Sequence, residues 1–148
     1  MAEKVAEKIS IKEVSYLERI TTGVPALDEM LGGGLLPGHV IVVSGPTGAG
    51  KTIFALQFIY THLRKGKRCL YISASDDNES VIANAIAFGW DLRPYIASGQ
   101  LDLKHVEIVE IEMGSKVTSE YLDSLPKLIQ GSKSEIIALD SITEYDDI

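Results

Sequence analysis

His39-Val40-Ile41-Val42-Val43-Ser44-Gly45-Pro46-Thr47-Gly48-Ala49-Gly50-Lys51-Thr52 is the stretch whose reading decides the fold. Val40 to Val43 are β-branched and apolar with no polar alternation, the pattern expected of a strand buried on both faces of a parallel sheet. The last eight residues match G-x-x-x-x-G-K-[ST], the spacing of a phosphate-binding loop. Residues 51–63 then read as a helix with Phe54, Phe58, Ile59 and Leu63 on one face. Strand, loop and helix thus follow one another in the order such a loop requires.

Each residue type in the loop has a chemical reason. Gly48 and Gly50 let the backbone wrap closely around an anion, and the N–H groups of Gly48, Ala49, Gly50, Lys51 and Thr52 can converge on phosphate oxygens. The helix that starts here adds the positive end of its dipole. Lys51 is expected to bridge the β- and γ-phosphates, and the Thr52 hydroxyl to coordinate Mg²⁺. The expected nucleotide-contacting set is Gly45, Thr47, Gly48, Ala49, Gly50, Lys51, Thr52 and Ile53. A Mg²⁺ site needs a second anchor, and Asp140 supplies one where the apolar run Ile136-Ile137-Ala138-Leu139 leaves the core. Aspartate also favours strand-end turns and helix N-caps, so a purely structural role for Asp140 stands beside the metal role. No N-K-x-D is present, and Asp140-Ser141-Ile142-Thr143 lacks the glycine of a D-x-x-G element, which favours ATP over GTP.

Further out, strand and helix signals alternate. Residues 25–31 read as a short helix with Pro25 in its first turn, stopped by Gly32. Residues 69–74 read as a second buried strand, 76–88 as a helix closed by Gly89, and 101–109 as a third strand. Residues 118–130 read as a helix kinked near Pro126, and 135–139 as a fourth strand. Such alternation is the mark of βαβ units, hence an α/β fold with a mainly parallel sheet and helices on its faces. Residues 2–19 carry both helical and strand spacing, and the choice stays open. They are expected to form an extension, residues 1–18, ahead of a nucleotide-binding domain over 19–148.

These residues together resemble the KaiC-like branch of the RecA superfamily of P-loop ATPases. The resemblance runs from about Arg19 to the end. Beyond the loop it rests on Thr22-Gly23-Val24-Pro25-Ala26-Leu27-Asp28-Glu29-Met30-Leu31-Gly32-Gly33-Gly34, on Phe88-Gly89-Trp90-Asp91-Leu92, and on Ile136-Ile137-Ala138-Leu139-Asp140-Ser141-Ile142. It implies a three-layer RecA-type domain, ATP or ADP and Mg²⁺ as ligands, and a homo-oligomer, commonly a hexameric ring. In that family a Glu-Glu pair usually follows the strand after the P-loop helix, and one glutamate polarises the attacking water. The pair aligns with Ser75 and Asp76 here. Asp76 is therefore the candidate catalytic base, one methylene shorter than usual, with Asp77 and Glu79 as substitutes and a helix-capping box as the alternative. The family fold also inserts a further strand between the strand that ends at the Walker B aspartate, which Asp140 matches, and the P-loop strand. Only six residues follow Thr143 inclusive, so the core is expected to be shortened after Asp140.

Composition sets the outer bounds. The chain has 148 residues, 14 Lys plus Arg against 21 Asp plus Glu, and a net charge of −7. Its length suffices for one domain burying roughly 70% of its unfolded surface. The acidic balance argues against a recombinase-like grip on nucleic acid. One cysteine, Cys69, fits a reducing compartment, the cytoplasm, and reads as buried and inert. The start has no apolar signal segment, and the uncharged residues 30–50 carry too many Gly and Pro to span a membrane. Arg64-Lys65-Gly66-Lys67-Arg68 reads as a helix-end turn more than a nucleic-acid patch. His39, His62 and His105 have no metal-ligand spacing, Trp90 and Asp91 read as packing and capping residues, and Tyr60, Tyr71, Tyr95 and Tyr121 as core-edge or surface residues.

Overall fold

The computed structural model describes residues 18–106 and 119–141. The chain divides into two compact units, Met1–Val42 and Val43–Ile148. In the first, α1 (Pro25–Met30) starts with proline at its first turn and ends ahead of Gly32 at φ 69°. Asp28 on that helix anchors the loop before it: its Oδ1 accepts from the Thr22 N–H at 2.7 Å, and its Oδ2 accepts from the Thr21 hydroxyl. Ile20 and Leu35 exchange backbone hydrogen bonds as an antiparallel bridge. Gly34 lies against that bridge, where a Cβ would collide with the Ile20 carbonyl.

The second unit is α/β. Its elements are α2 (Lys51–Arg64), β1 (Cys69–Ser73), α3 (Asn78–Ala87), α4 (Arg93–Ala97), β2 (Leu101–His105), α5 (Ser119–Ser132) and β3 (Ile136–Asp140). The three strands form a parallel sheet in the order β2-β1-β3. In the chain α3 and α4 lie between β1 and β2, and α5 lies between β2 and β3, as the crossovers of parallel strands require. β1 is central, and all five of its residues are buried, which explains its unbroken Cys-Leu-Tyr-Ile run. Register pairs Cys69, Tyr71 and Ser73 with Ile136, Ala138 and Asp140.

Helix α2 covers one face of β1 and β3. Its buried stripe is Leu56, Ile59 and Leu63, at helical spacing, with His62 beside it. Phe54 and Phe58, expected on that stripe, are only half-buried; Phe58 lies edge-on to the His62 ring at 4.8 Å. The Cys69 thiol donates to the Ile59 carbonyl at 3.9 Å, so the Cys69 side of β1 faces α2. Side chains alternate along a strand, and Tyr71 and Ser73 therefore share that face, as do their register partners Ala138 and Asp140. Helices α3 and α4 pack against β2.

The strand expected over residues 39–44 does not form. The described residues give it no ladder, and Val40 and Val42 are 92% and 75% exposed. The β-branched composition of an interior strand is present, but a strand exists only where a neighbour supplies hydrogen bonds, and among the described residues β3 pairs with β1 alone. No described strand corresponds to the one expected to be inserted beside the strand that ends at Asp140. The sequence signal for burial thus stands without the pairing that would satisfy it.

Other boundaries move little. The helix expected over 76–88 begins at Asn78, because Asp77 caps it, and α5 runs through Pro126 to Ser132. The short helix α4 was not legible, being five residues long. Of the N-terminal extension expected over residues 1–18, residues 1–17 lie outside the described residues, as do residues 107–109 of the expected third strand and the segment after Ser141.

Candidate nucleotide-binding site

The loop and the helix after it are built by the glycines the sequence singles out. Gly48 and Gly50 take φ of 81° and 95°, in the left-handed region that favours glycine. The Ala49 N–H donates to the Pro46 carbonyl at 3.1 Å and closes a turn, and the first intrahelical bond of α2 runs from the Phe54 N–H to the Gly50 carbonyl at 2.9 Å. Gly50 is the N-cap of α2 and offers no side-chain cap, and the first turn carries no acid. Helix α3 is the contrast: the Asp77 carboxylate caps it by accepting from the Ser80 N–H at 2.8 Å. That bond holds the Asp77 carboxyl below its usual range. One helix start is thus closed by an aspartate, and the other keeps the positive end of its dipole open to an anion.

Lys51 folds back over the loop. Its Nζ donates to the Gly45 carbonyl and to the Pro46 carbonyl, the latter at 3.1 Å. The ammonium, with three donors, is held above the loop and not extended into solvent. Thr52 lies four residues before Leu56 and so falls on the stripe that continues through Leu56, Ile59 and Leu63 toward the sheet. It is half-buried.

Asp140 ends β3 and is buried, on the α2 face of the sheet. The Tyr71 hydroxyl donates to its Oδ2 at 2.7 Å. Tyr71 was expected at the core edge or surface and is instead 1% exposed at the centre of β1. Its signal was a single hydroxyl in an apolar strand, since a buried tyrosine needs a partner for its O–H. Burial first, then the Asp140 carboxylate, pushes the Tyr71 phenol far up, and Asp76 adds to this. Asp76 follows β1, and its backbone N–H donates to Ser73 Oγ at 3.0 Å. Asp77 is the residue that caps α3, so the capping alternative does not claim the Asp76 carboxylate. At the end of β2, His105 has a buried Nδ1 with no partner among the described residues.

The donor set fits a hydrated divalent cation held with phosphates. Thr52 and Asp140 offer hard oxygens, the kind Mg²⁺ uses together with nucleotide phosphates. Among the described residues no cluster of three or more His, Cys, Asp and Glu is placed to hold a metal by itself.

Comparison with known proteins decides the relationship. The family model of the KaiC ATPase matches residues 20–148. The chain belongs to the KaiC ATPase family. Relatives agree: a UPF0273 protein of Pyrococcus horikoshii is 29% identical over 84% of this chain and 55% of its own length. The circadian clock oscillator protein KaiC of Parathermosynechococcus lividus is 29% identical over 92% of this chain and 26% of its own. The circadian clock protein KaiC3 of Synechocystis is 31% identical over 91% of this chain and 26% of its own. The chain thus spans about half the length of the UPF0273 relative and about a quarter of these KaiC proteins. The KaiC match includes both the loop and the Asp140 strand. Among the described residues no helix is long and apolar enough to cross a membrane.

Proposed function

We propose that this chain binds Mg-ATP on the 45–52 loop and hydrolyses it slowly within an oligomer. The observation that carries the reading is the shared interface of α2 and the sheet. Thr52 lies four residues before the buried Leu56 on the helix, and the buried Asp140 ends a strand that this helix covers, beside a helix start that has no side-chain cap. The N–H groups of the loop and of the first turn of α2 would hold phosphate oxygens. Lys51 would exchange its carbonyl contacts for β- and γ-phosphate oxygens, and so tie loop closure to nucleotide. Thr52 and Asp140 would hold the cation, which when bound neutralises charge developing on the phosphates. Asp76 would orient water, and Ser73 supports its backbone.

Family membership supports nucleotide binding, while the shorter acid at Asp76 favours a second reading, a module that senses ATP or ADP without turnover. Single-turnover assays with γ-labelled ATP separate the two. Phosphate release abolished by Lys51→Ala and reduced about 10²-fold by Asp76→Asn supports hydrolysis. Saturable binding with no release, unchanged by Asp76→Asn, supports the sensing module and contradicts turnover. Assembly into rings, cytoplasmic location and the extension over residues 1–18 belong to the same proposal, carried by resemblance and composition.

A further inference from the structure

We propose that Tyr71 is a positioning residue for the cation site, its hydroxyl fixing the Asp140 carboxylate so that the second oxygen is directed to the metal or its water. This rests on the reading of Asp140 as the cation anchor. The pair is 69 positions apart in sequence and joined at 2.7 Å by the β1–β3 register, both partners being buried. A phenylalanine would fill the same space in β1, so packing alone does not explain the hydroxyl. A donor on an ionised carboxylate forms a charge-assisted bond, roughly twice as strong as a neutral one. With Oδ2 engaged by Tyr71, rotation about the carboxylate axis would break that bond, and Oδ1 is the oxygen that remains to face a hydrated cation. Outer partners of metal ligands act in this way, by holding the ligand in one orientation.

The placement also links two candidate site groups. Asp76 follows β1, the strand that carries Tyr71, and its backbone N–H donates to the hydroxyl of Ser73, two residues on from Tyr71.

The test is Mn²⁺ binding to the full chain, read by electron paramagnetic resonance with a β,γ-imido ATP analogue present. Tyr71→Phe should weaken Mn²⁺ affinity about tenfold or more, with metal-free binding of the analogue unchanged. A change within about twofold in the folded variant would overturn the inference, since a tyrosine that only packs would lower thermal stability and leave Mn²⁺ affinity alone. Asp140→Asn, measured in parallel, distinguishes the failure beneath it: unchanged Mn²⁺ affinity there overturns the metal role of Asp140 itself. Should Tyr71→Phe not fold, the ¹³Cζ resonance of Tyr71 in the unmodified protein decides. It should move when Mn²⁺ is replaced by Mg²⁺ and titrated with the analogue, and an unmoved resonance contradicts the proposal.

Discussion

Ser73 and Asp140 face each other in register at the C-terminal ends of β1 and β3, and the Ala74 N–H donates to the Asp140 carbonyl at 2.8 Å. The chain therefore leaves both strands at one edge of the sheet. Residues 75 and 76 follow Ser73, which brings the candidate base to the same edge as the candidate cation anchor. In parallel sheets, ligands meet the protein at this edge.

From that edge follows the first expectation. Asp140→Asn keeps the volume and a hydrogen-bonding oxygen but removes the charge. Losing one charge-assisted contact of about 1.5–3 kcal/mol should raise the Mg²⁺ concentration needed for half-maximal ATP binding about 10- to 100-fold. Titrating Mg²⁺ against a fluorescent ATP analogue reads this directly, and an unshifted midpoint contradicts it.

Asp76 is one methylene shorter than the glutamate of the family pattern. Asp76→Glu should therefore raise single-turnover hydrolysis, toward the about 10²-fold that a misplacement of about 1 Å costs. A rate unchanged or lowered by the longer acid would mean that Asp76 does not orient the water.

Cys69 is fully buried, and desolvation, with a smaller contribution from Glu135, pushes its thiol from 9.0 up to about 12. The folded state thus favours the protonated form. The stability this contributes is complete below the unfolded pKa and is lost as pH rises through the folded one. At pH 8 the native thiol should react with iodoacetamide about 10³-fold more slowly than the unfolded chain. Equal labelling of native and denatured protein would contradict the burial of β1.

Gly34→Ala should destabilise the first unit by about 1–3 kcal/mol. At φ 119° an L side chain is strained, and the added Cβ would also lie 2.9 Å from the Ile20 carbonyl carbon. Thermal unfolding with Gly33→Ala as a comparison measures the effect of the contact, because the nearest atom a Cβ there would meet is the Arg19 Cγ at 3.6 Å. Equal losses in the two variants would assign the effect to backbone conformation alone.

Much of the second unit was legible because its signals are local. The glycines at 48 and 50, the apolar run of β3 and the stop at Gly89 each dictate a conformation within a few residues. The failures concern partners distant in the chain. Residues 39–44 have the composition of an interior strand, yet composition does not supply a neighbouring ladder. Phe54 and Phe58 satisfy helical spacing as well as Leu56 does, and only packing on β1 and β3 selects among them. The burial of Tyr71 escapes the sequence for the same reason: its partner lies across the sheet, and register alone reveals it. At the loop, the sequence identifies which residues carry the chemistry, while the closed-over pose of Lys51 and the absence of a side-chain cap on α2 are features of the fold.

A nucleotide site on the 45–52 loop is tested most directly by isothermal titration of the full chain with Mg-ATP. Saturable binding near one nucleotide per chain is expected, weakened about 10- to 100-fold or more by Lys51→Ala, which removes the charge-assisted contacts to the phosphates. Absence of saturable binding in the folded protein, or an affinity that Lys51→Ala leaves unchanged, would contradict it.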